Sequence, residues 1–388
     1  HIAPGTYREQ VSIETPYITL AKEGEGEVVL TWYYGIGYKY YSIDGTGYYN
    51  EENAFDKFDK KLPQKWGVAT YVKNTATGFK AENITFENSL NRYLTQEELA
   101  DGADKNVTPA CTARTTENID VRSKAAKERA AVIYIQADDT EYKDCKFLSS
   151  QDTVYTGDAQ EVSYFKNCVI EGTTDYICGD GNPVFDECTL SMYSYSDMEA
   201  VASYIVASKA KGKHGYIFNN CKIVTTSSTG LKATSKNILA RAWGAGTVTW
   251  LNTEVESANM IDPVAYKDMN AKVKDAHYYE YNTHLADGTK VSTSSRAAGV
   301  NKMTDEEASA VKLEDYFEGW TPAYYKSGDV KPEPVAADYT AVDEAIKAAE
   351  ALNKDDYEDF SAVTKAIEAV DRTLTSEEQA KVDAMAKA

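Results

Sequence analysis

Apolar and polar positions alternate in short bursts over most of this 388-residue chain, and a three-and-four spacing replaces the alternation only near its end. Over residues 1–90, Val11, Ile13, Ile18, Leu20 and the run Val28–Trp32 are apolar or β-branched and are broken by Gly24 and Gly26. That pattern predicts short strands with tight turns. Residues 91–128 are polar, with a capping-type signal at Thr95-Gln96-Glu97-Glu98, and predict a long loop with some helix. Short strands resume over 131–255. Residues 326–337 contain Gly328, Pro332 and Pro334 and predict a linker. Beyond it, Tyr339, Val342, Ala345, Ile346, Ala349 and Leu352 recur at three and four, as do Phe360, Val363, Ile367, Val370 and Leu374. Thr375 with Glu378 supplies a capping box for a third helix carrying Val382 and Met385. The expected organisation is a domain over 1–325, a linker over 326–337, and a small all-α three-helix accessory module over 338–388.

An internal repeat sharpens the first domain. Tyr142-Lys143-Asp144-Cys145, Phe165-Lys166-Asn167-Cys168, Phe185-Asp186-Glu187-Cys188 and Phe218-Asn219-Asn220-Cys221 share one pattern: aromatic, two polar residues, cysteine. An apolar residue follows each cysteine at the second position: Phe147, Ile170, Leu190 and Ile223. The cysteines are 23, 20 and 33 residues apart, and Asn83-Ile84-Thr85-Phe86 looks like a diverged earlier copy. Units of this length without intervening helices predict a parallel β-helix, in which equivalent residues stack as columns; the 33-residue interval is one coil with a loop insertion. The four cysteines then form one interior column of buried thiols, although stacked cysteines one strand apart could also bond. No CxxC or histidine pair accompanies them, so no metal is expected, and no cofactor.

Composition narrows the partners. Lysine and arginine number 41 against 61 acids, a net charge of −20, which disfavours nucleic acid. No apolar run approaches a membrane span. Tyrosine is abundant, 29 against 10 phenylalanines, which suits either strands or carbohydrate contact. The chain starts at His1, so a leader is neither visible nor excluded.

The columns also locate candidate chemistry. Asp152 and Asp175 each lie seven residues after a repeat cysteine, Cys145 and Cys168. In register on adjacent coils, their carboxylates stand about 5 Å apart. The equivalent positions after Cys188 and Cys221 are Tyr195 and Ser228, which confines the pair to two coils. Two such carboxylates do not ionise independently, and a neutral acid beside an anion can serve as acid/base and nucleophile. A single aspartate there would more simply satisfy turn amides.

The segments Gln151-Asp152-Thr153-Val154-Tyr155, Glu171-Gly172-Thr173-Thr174-Asp175-Tyr176-Ile177-Cys178-Gly179 and Leu239-Ala240-Arg241-Ala242-Trp243-Gly244 resemble the central motifs of pectin methylesterases. Gly5-Thr6-Tyr7-Arg8-Glu9, residues 78–88 and Phe317-Glu318-Gly319-Trp320 resemble other segments of that family, in the same order. The resemblance implies a right-handed parallel β-helix and hydrolysis of methyl esters on the galacturonate units of pectin. It implies Asp175 as nucleophile, Asp152 as acid and then base, and Gln151 as oxyanion donor. Arg241 would orient Asp175 and Trp243 would stack on sugar, with Tyr155, Tyr176 and Ser89 completing the substrate-binding set. It further implies a secreted or cell-surface monomer. The tail resembles, more weakly, helical repeats appended to secreted enzymes of Gram-positive bacteria.

Three departures stand out. Arg129 occupies the place of a family glutamine and could support an oxyanion or pair with an aspartate. Ala240-Arg241-Ala242 replaces Gly-Arg-Pro, so the arginine loop is expected to lack its usual proline and glycine. Cys178 replaces a bulky aromatic and is expected to open the floor of the site. Alternatives remain: a β-helix glycosidase or lyase acting on polygalacturonate, a non-catalytic carbohydrate-binding surface protein, or an esterase for another substrate. The net charge predicts repulsion of de-esterified polygalacturonate and a preference for highly esterified substrate.

Overall fold

The computed structural model describes residues 1–36, 67–90, 92, 93, 95, 129–157, 161–193, 202–209, 214–226, 235–328, 338–357, 359–372, 374 and 379–387. Two compact units result, His1–Tyr325 and Lys326–Ala388.

Each coil of the first unit contributes one strand to each of three parallel sheets, which hold eight, eight and nine strands. The winding is a right-handed parallel β-helix. Side-chain alternation along each strand sends one set of residues inward and the other outward, and the repeat spells the inward set at one corner. Tyr142, Phe165, Phe185, Phe218 and Trp250 occupy one register position of the third sheet. Their rings stack at centroid separations of 4.6, 4.6, 4.8 and 4.0 Å, close to the spacing of the strands that carry them.

Two residues later the chain must turn sharply into the first sheet. Asn83, Asp144, Asn167, Glu187, Asn220, Asn252 and Asn282 do this with φ between 50° and 55°. Asparagine and aspartate tolerate this left-handed conformation because their short polar side chains hydrogen-bond locally, which accounts for the polar residue before each repeat cysteine. The Asn167 amide donates to Asp144 Oδ1 at 2.6 Å, and that of Asn282 to Asn252 Oδ1 at 2.9 Å.

The cysteine that follows points inward. Cys145, Cys168, Cys188 and Cys221 are fully buried free thiols, and Ile84 takes the same place in the diverged copy. Each thiol donates to a carbonyl of the preceding coil: Cys168 to Tyr142 O at 3.5 Å, Cys188 to Phe165 O at 3.4 Å, Cys221 to Phe185 O at 3.5 Å. Cys111 lies outside the described residues.

The segment Phe317-Glu318-Gly319-Trp320 covers the outer face of the third sheet. Phe317 is buried there with Tyr164, Val184 and Ile217, its ring 5.4 Å from that of Tyr164. A short helix, Asp305–Ser309, precedes it and carries a full Thr304/Glu307 capping box.

In the second unit, helices Thr340–Glu350, Ser361–Glu368 and Gln379–Met385 are amphipathic segments around Val342 and Val382. Helix Ala323–Gly328 occupies the first residues of the expected linker, and 329–337 lie outside the described residues. The capping pair Thr375 and Glu378 also lies outside them, as do 96–128, most of the expected long loop, and the equivalent positions Tyr195 and Ser228.

Candidate active site

The second sheet carries the site on its outer face. Residues on its strands alternate between interior apolar positions (Ile133, Val154, Ile177, Val206, Ala240) and an outward set that forms a single column. That column begins with Tyr71, Tyr134 and Tyr155, continues with Cys178 and Ala207, and ends with Arg241 and Lys267, each in register with the next. Its chemistry therefore changes along the axis from aromatic, through small, to cationic.

Asp152 and Asp175 stand three residues before Tyr155 and Cys178, where the column passes from aromatic to small. Gln151 bridges Thr174, and Val154 pairs Ile177, so the offset of 23 runs unbroken through 152 and 175. The expected register holds, and the two aspartates occupy one position on neighbouring strands, about 4.8 Å apart at the backbone. Both have positive φ, 58° for Asp152 and 48° for Asp175, a conformation uncommon for side chains other than Asn and Asp. This kink redirects the chain. Asp175 reaches the outer face, while Tyr176 beside it turns into the helix interior.

Arg241 grips the Asp175 carboxylate. Its Nε donates to Asp175 Oδ1 at 2.6 Å, and a second guanidinium nitrogen donates to Oδ2, a bidentate charge-assisted pair. Arg241 comes from the second strand beyond that of Asp175, and the intervening column residue is Ala207, whose small side chain leaves the guanidinium a path. Tyr204 lies beneath it, 4.3 Å from guanidinium carbon to ring centroid. Burial pushes the Asp175 carboxyl above its ordinary value and Arg241 pulls it back, with burial the larger effect.

Cys178 forms the floor. It is 1% exposed, and burial pushes its thiol well up. Asp152 and Asp175 add to that rise, whereas Arg241 and Arg129 oppose it, so four charged groups lie within electrostatic reach of one sulfur. Arg129 is half-buried and opens the coil preceding Gln151, with the Ala130 amide donating to Gln151 O at 3.0 Å. The half-buried Trp243 closes the other side, with Tyr155 edge-on at 6.3 Å and the Lys209 ammonium 5.4 Å from its ring centroid. Lys209 also pairs with Asp180 at 3.1 Å.

Three expectations change. Tyr176 is not available to a substrate: it is fully buried in the interior core, against Gly172, where an added Cβ would stand 2.2 Å from its own Cβ. Ser89 is also fully buried, on the first sheet, with its hydroxyl donating to Trp32 O at 3.3 Å. Arg241 lies on a regular strand, Lys236–Ala242, and not in a loop; Ala240 and Ala242 point inward, where small apolar side chains fit. Tyr155 is mostly covered by Tyr134 and Trp243 and offers only an edge. The sequence did not single out Tyr204, Ala207 or Lys209. Their coil joins the sheet with a register shift between Thr174 and Ile177, which breaks the spacing by which Asp152 and Asp175 could be matched.

The Pectinesterase family model matches residues 110–319, more than half of the chain. Among curated proteins, putative pectinesterase 11 of Arabidopsis thaliana is 28% identical over 51% of this chain and 54% of its own length. Probable pectinesterase A of Neosartorya fischeri is 28% identical over 61% of this chain and 68% of its own. The chain spans about half the length of the first of these and of probable pectinesterase/pectinesterase inhibitor 21 of Arabidopsis thaliana, 54% and 47%. Among solved structures, pectin methylesterase PemA from Erwinia chrysanthemi superposes with a TM-score of 0.60 at 22% identity, covering 82% of this chain and 88% of that one. The pectin methylesterase of Yersinia enterocolitica gives 0.58 at 21%, over 82% and 93%. These likenesses establish the fold.

Proposed function

The chain belongs to the pectinesterase family, and on that premise we propose that it hydrolyses methyl esters of galacturonate units in pectin, releasing methanol, through an acyl-enzyme on Asp175. The observation that carries this reading is the geometry of the aspartate pair: same register, adjacent strands, and a bidentate clamp from Arg241 on Asp175. In this reading Asp175 acts as the anion, a form favoured by the guanidinium beside it, and Asp152 acts as the acid.

Asp175 attacks the ester carbonyl carbon. The negative charge that develops on the carbonyl oxygen is met by Gln151 and Arg129, a donor role worth about 3 kcal/mol per group in comparable sites. The bond to the methoxy oxygen then breaks as Asp152 protonates it, and methanol leaves. Asp152, now a base, takes a proton from water; the resulting hydroxide attacks the acyl carbon and frees both the galacturonate carboxyl and Asp175. Trp243 offers a face for a sugar ring.

A pectin methylesterase of known structure is described in complex with a hexasaccharide, which agrees with a polymeric substrate here. No helix among the described residues is long and apolar enough to cross a membrane. We take the enzyme to act outside the cell as a monomer, with the helical unit as an accessory.

Incubation with highly methylated pectin tests the reading. Methanol should appear without shortening of the chains, and Asp175→Asn should lower its release by at least about a thousandfold with the melting curve retained. Chain cleavage, or full activity in that variant, would refute it.

A further inference from the structure

Thr153 is a polar residue in an apolar place. It follows Asp152 directly and is fully buried inside the β-helix. The neighbouring coils put Val132 and Tyr176 at its register position, and both belong to the core. A buried hydroxyl needs a partner, and this one donates to the backbone carbonyl of Glu171 at 2.8 Å. Glu171 lies on the coil of Asp175, four residues before it. The bond therefore crosses from one aspartate's coil to the other's, at the turn between the first and second sheets.

The acceptor is a fixed point. The Glu171 carboxylate is held by Arg92 and by the Thr226 hydroxyl, the latter at 2.7 Å. Arg92 also pairs with Glu87 at 3.3 Å and lies over the Tyr193 ring, 4.9 Å from its centroid. Gly172 gives the Thr153 hydroxyl room, since a Cβ there would stand 2.9 Å from its oxygen. Backbone bonds add to the join. Ser150 O accepts from the Thr173 and Thr174 amides at 2.6 and 3.1 Å, and the Asp152 amide donates to Thr174 O at 3.1 Å. At the far end of the strand Val154–Thr156, the Thr156 hydroxyl donates to Cys178 O at 3.2 Å.

Both aspartates have left-handed backbones, a sparsely populated conformation that persists where the surrounding structure fixes it. We propose that Thr153 is a positioning residue for the aspartate pair: its hydroxyl stitches the Asp152 turn to the anchored Glu171 and so sets the separation of the two carboxylates. The inference rests on the esterase reading for what that separation serves. Nucleophile and acid must reach one ester group from two coils, and an error of about 1 Å in their placement can cost two orders of magnitude in rate. Thr153 itself meets no substrate, being enclosed in the core.

Thr153→Val removes the hydroxyl and keeps the shape, and a valine already fills the same register position on the preceding coil. Its kcat for methanol release from methylated pectin should fall about thirtyfold, with KM within about twofold. Thr153→Ser keeps the hydroxyl and should hold kcat within about threefold of the original. Crystal structures should show the two carboxylates displaced by about 1 Å in the valine variant and unmoved in the serine variant. Should the valine variant not fold, Thr153→Ala compared with Thr153→Ser isolates the same hydroxyl. An unchanged kcat without the hydroxyl, an equal loss in the serine variant, or unmoved carboxylates without the hydroxyl would overturn the stitch. An unaltered chain that releases no methanol from any pectin would overturn the esterase reading instead, and the carboxylate positions in the variants would still decide the stitch.

Discussion

The inner and outer faces of the β-helix follow opposite rules. Inside, one kind of residue recurs at each register position: a five-ring aromatic stack from Tyr142 to Trp250, a thiol column from Cys145 to Cys221, and left-handed polar corners between them, all Asn or Asp except Glu187. Outside, along the column from Tyr71 to Lys267, three tyrosines give way to Cys178 and Ala207 and then to Arg241 and Lys267. The inner set packs coils together, and identical neighbours pack best because each must fit the same space above and below. On the esterase reading the outer set meets a ligand, and a ligand with distinct ends and a single reacting bond requires non-identical neighbours. Repetition therefore marks the scaffold of this molecule, and its interruption marks the site.

Substitution on each face should separate the two rules. Phe185→Ala, in the middle of the ring stack, should cost about 3–5 kcal/mol of stability, seen as a large drop in the thermal or denaturant midpoint. A drop of less than about 1 kcal/mol would mean that the stack is not what holds the coils. Arg241→Gln should leave the midpoint nearly unchanged yet lower methanol release about a hundredfold near neutral pH. The sign of the accompanying pH shift follows from the site. The Asp175 carboxyl already sits above the ordinary value of 3.8 because burial outweighs the guanidinium. Without the guanidinium it rises further, so the acid limb of the kcat/KM profile should move to higher pH; an unmoved limb would mean that Asp175 is not the group titrating. The smallest effect is expected for Arg129→Gln, with methanol release within about threefold of the original or higher, since an amide can replace the guanidinium as donor. Unfolding of that variant would assign Arg129 to the scaffold.

The two faces were also unequally legible. The interior could be read because a column requires the same residue at a regular interval, and Cys145, Cys168, Cys188 and Cys221 are spelled that way. The register of Asp152 and Asp175 followed from the same cysteines. What the sequence could not convey was which way residues next to a kink point: Tyr176 adjoins Asp175, but the positive φ at 175 sends the two to opposite faces. Nor could it show Tyr204, Ala207 and Lys209 joining the site, since their coil enters with a shifted register. Ser89 failed for a plainer reason: it is fully buried just past its first-sheet strand, with its hydroxyl bonded to Trp32 O.

Asp152 stands just before the fourth, and Asp175 on the fifth, of the eight strands in their sheet. Because coils bond only to their neighbours, a stack of this kind loosens from its ends, and its middle is the last part to come undone. Trimming or heating the molecule should thus strip the lysine-bearing terminal coils before it reaches the aspartates.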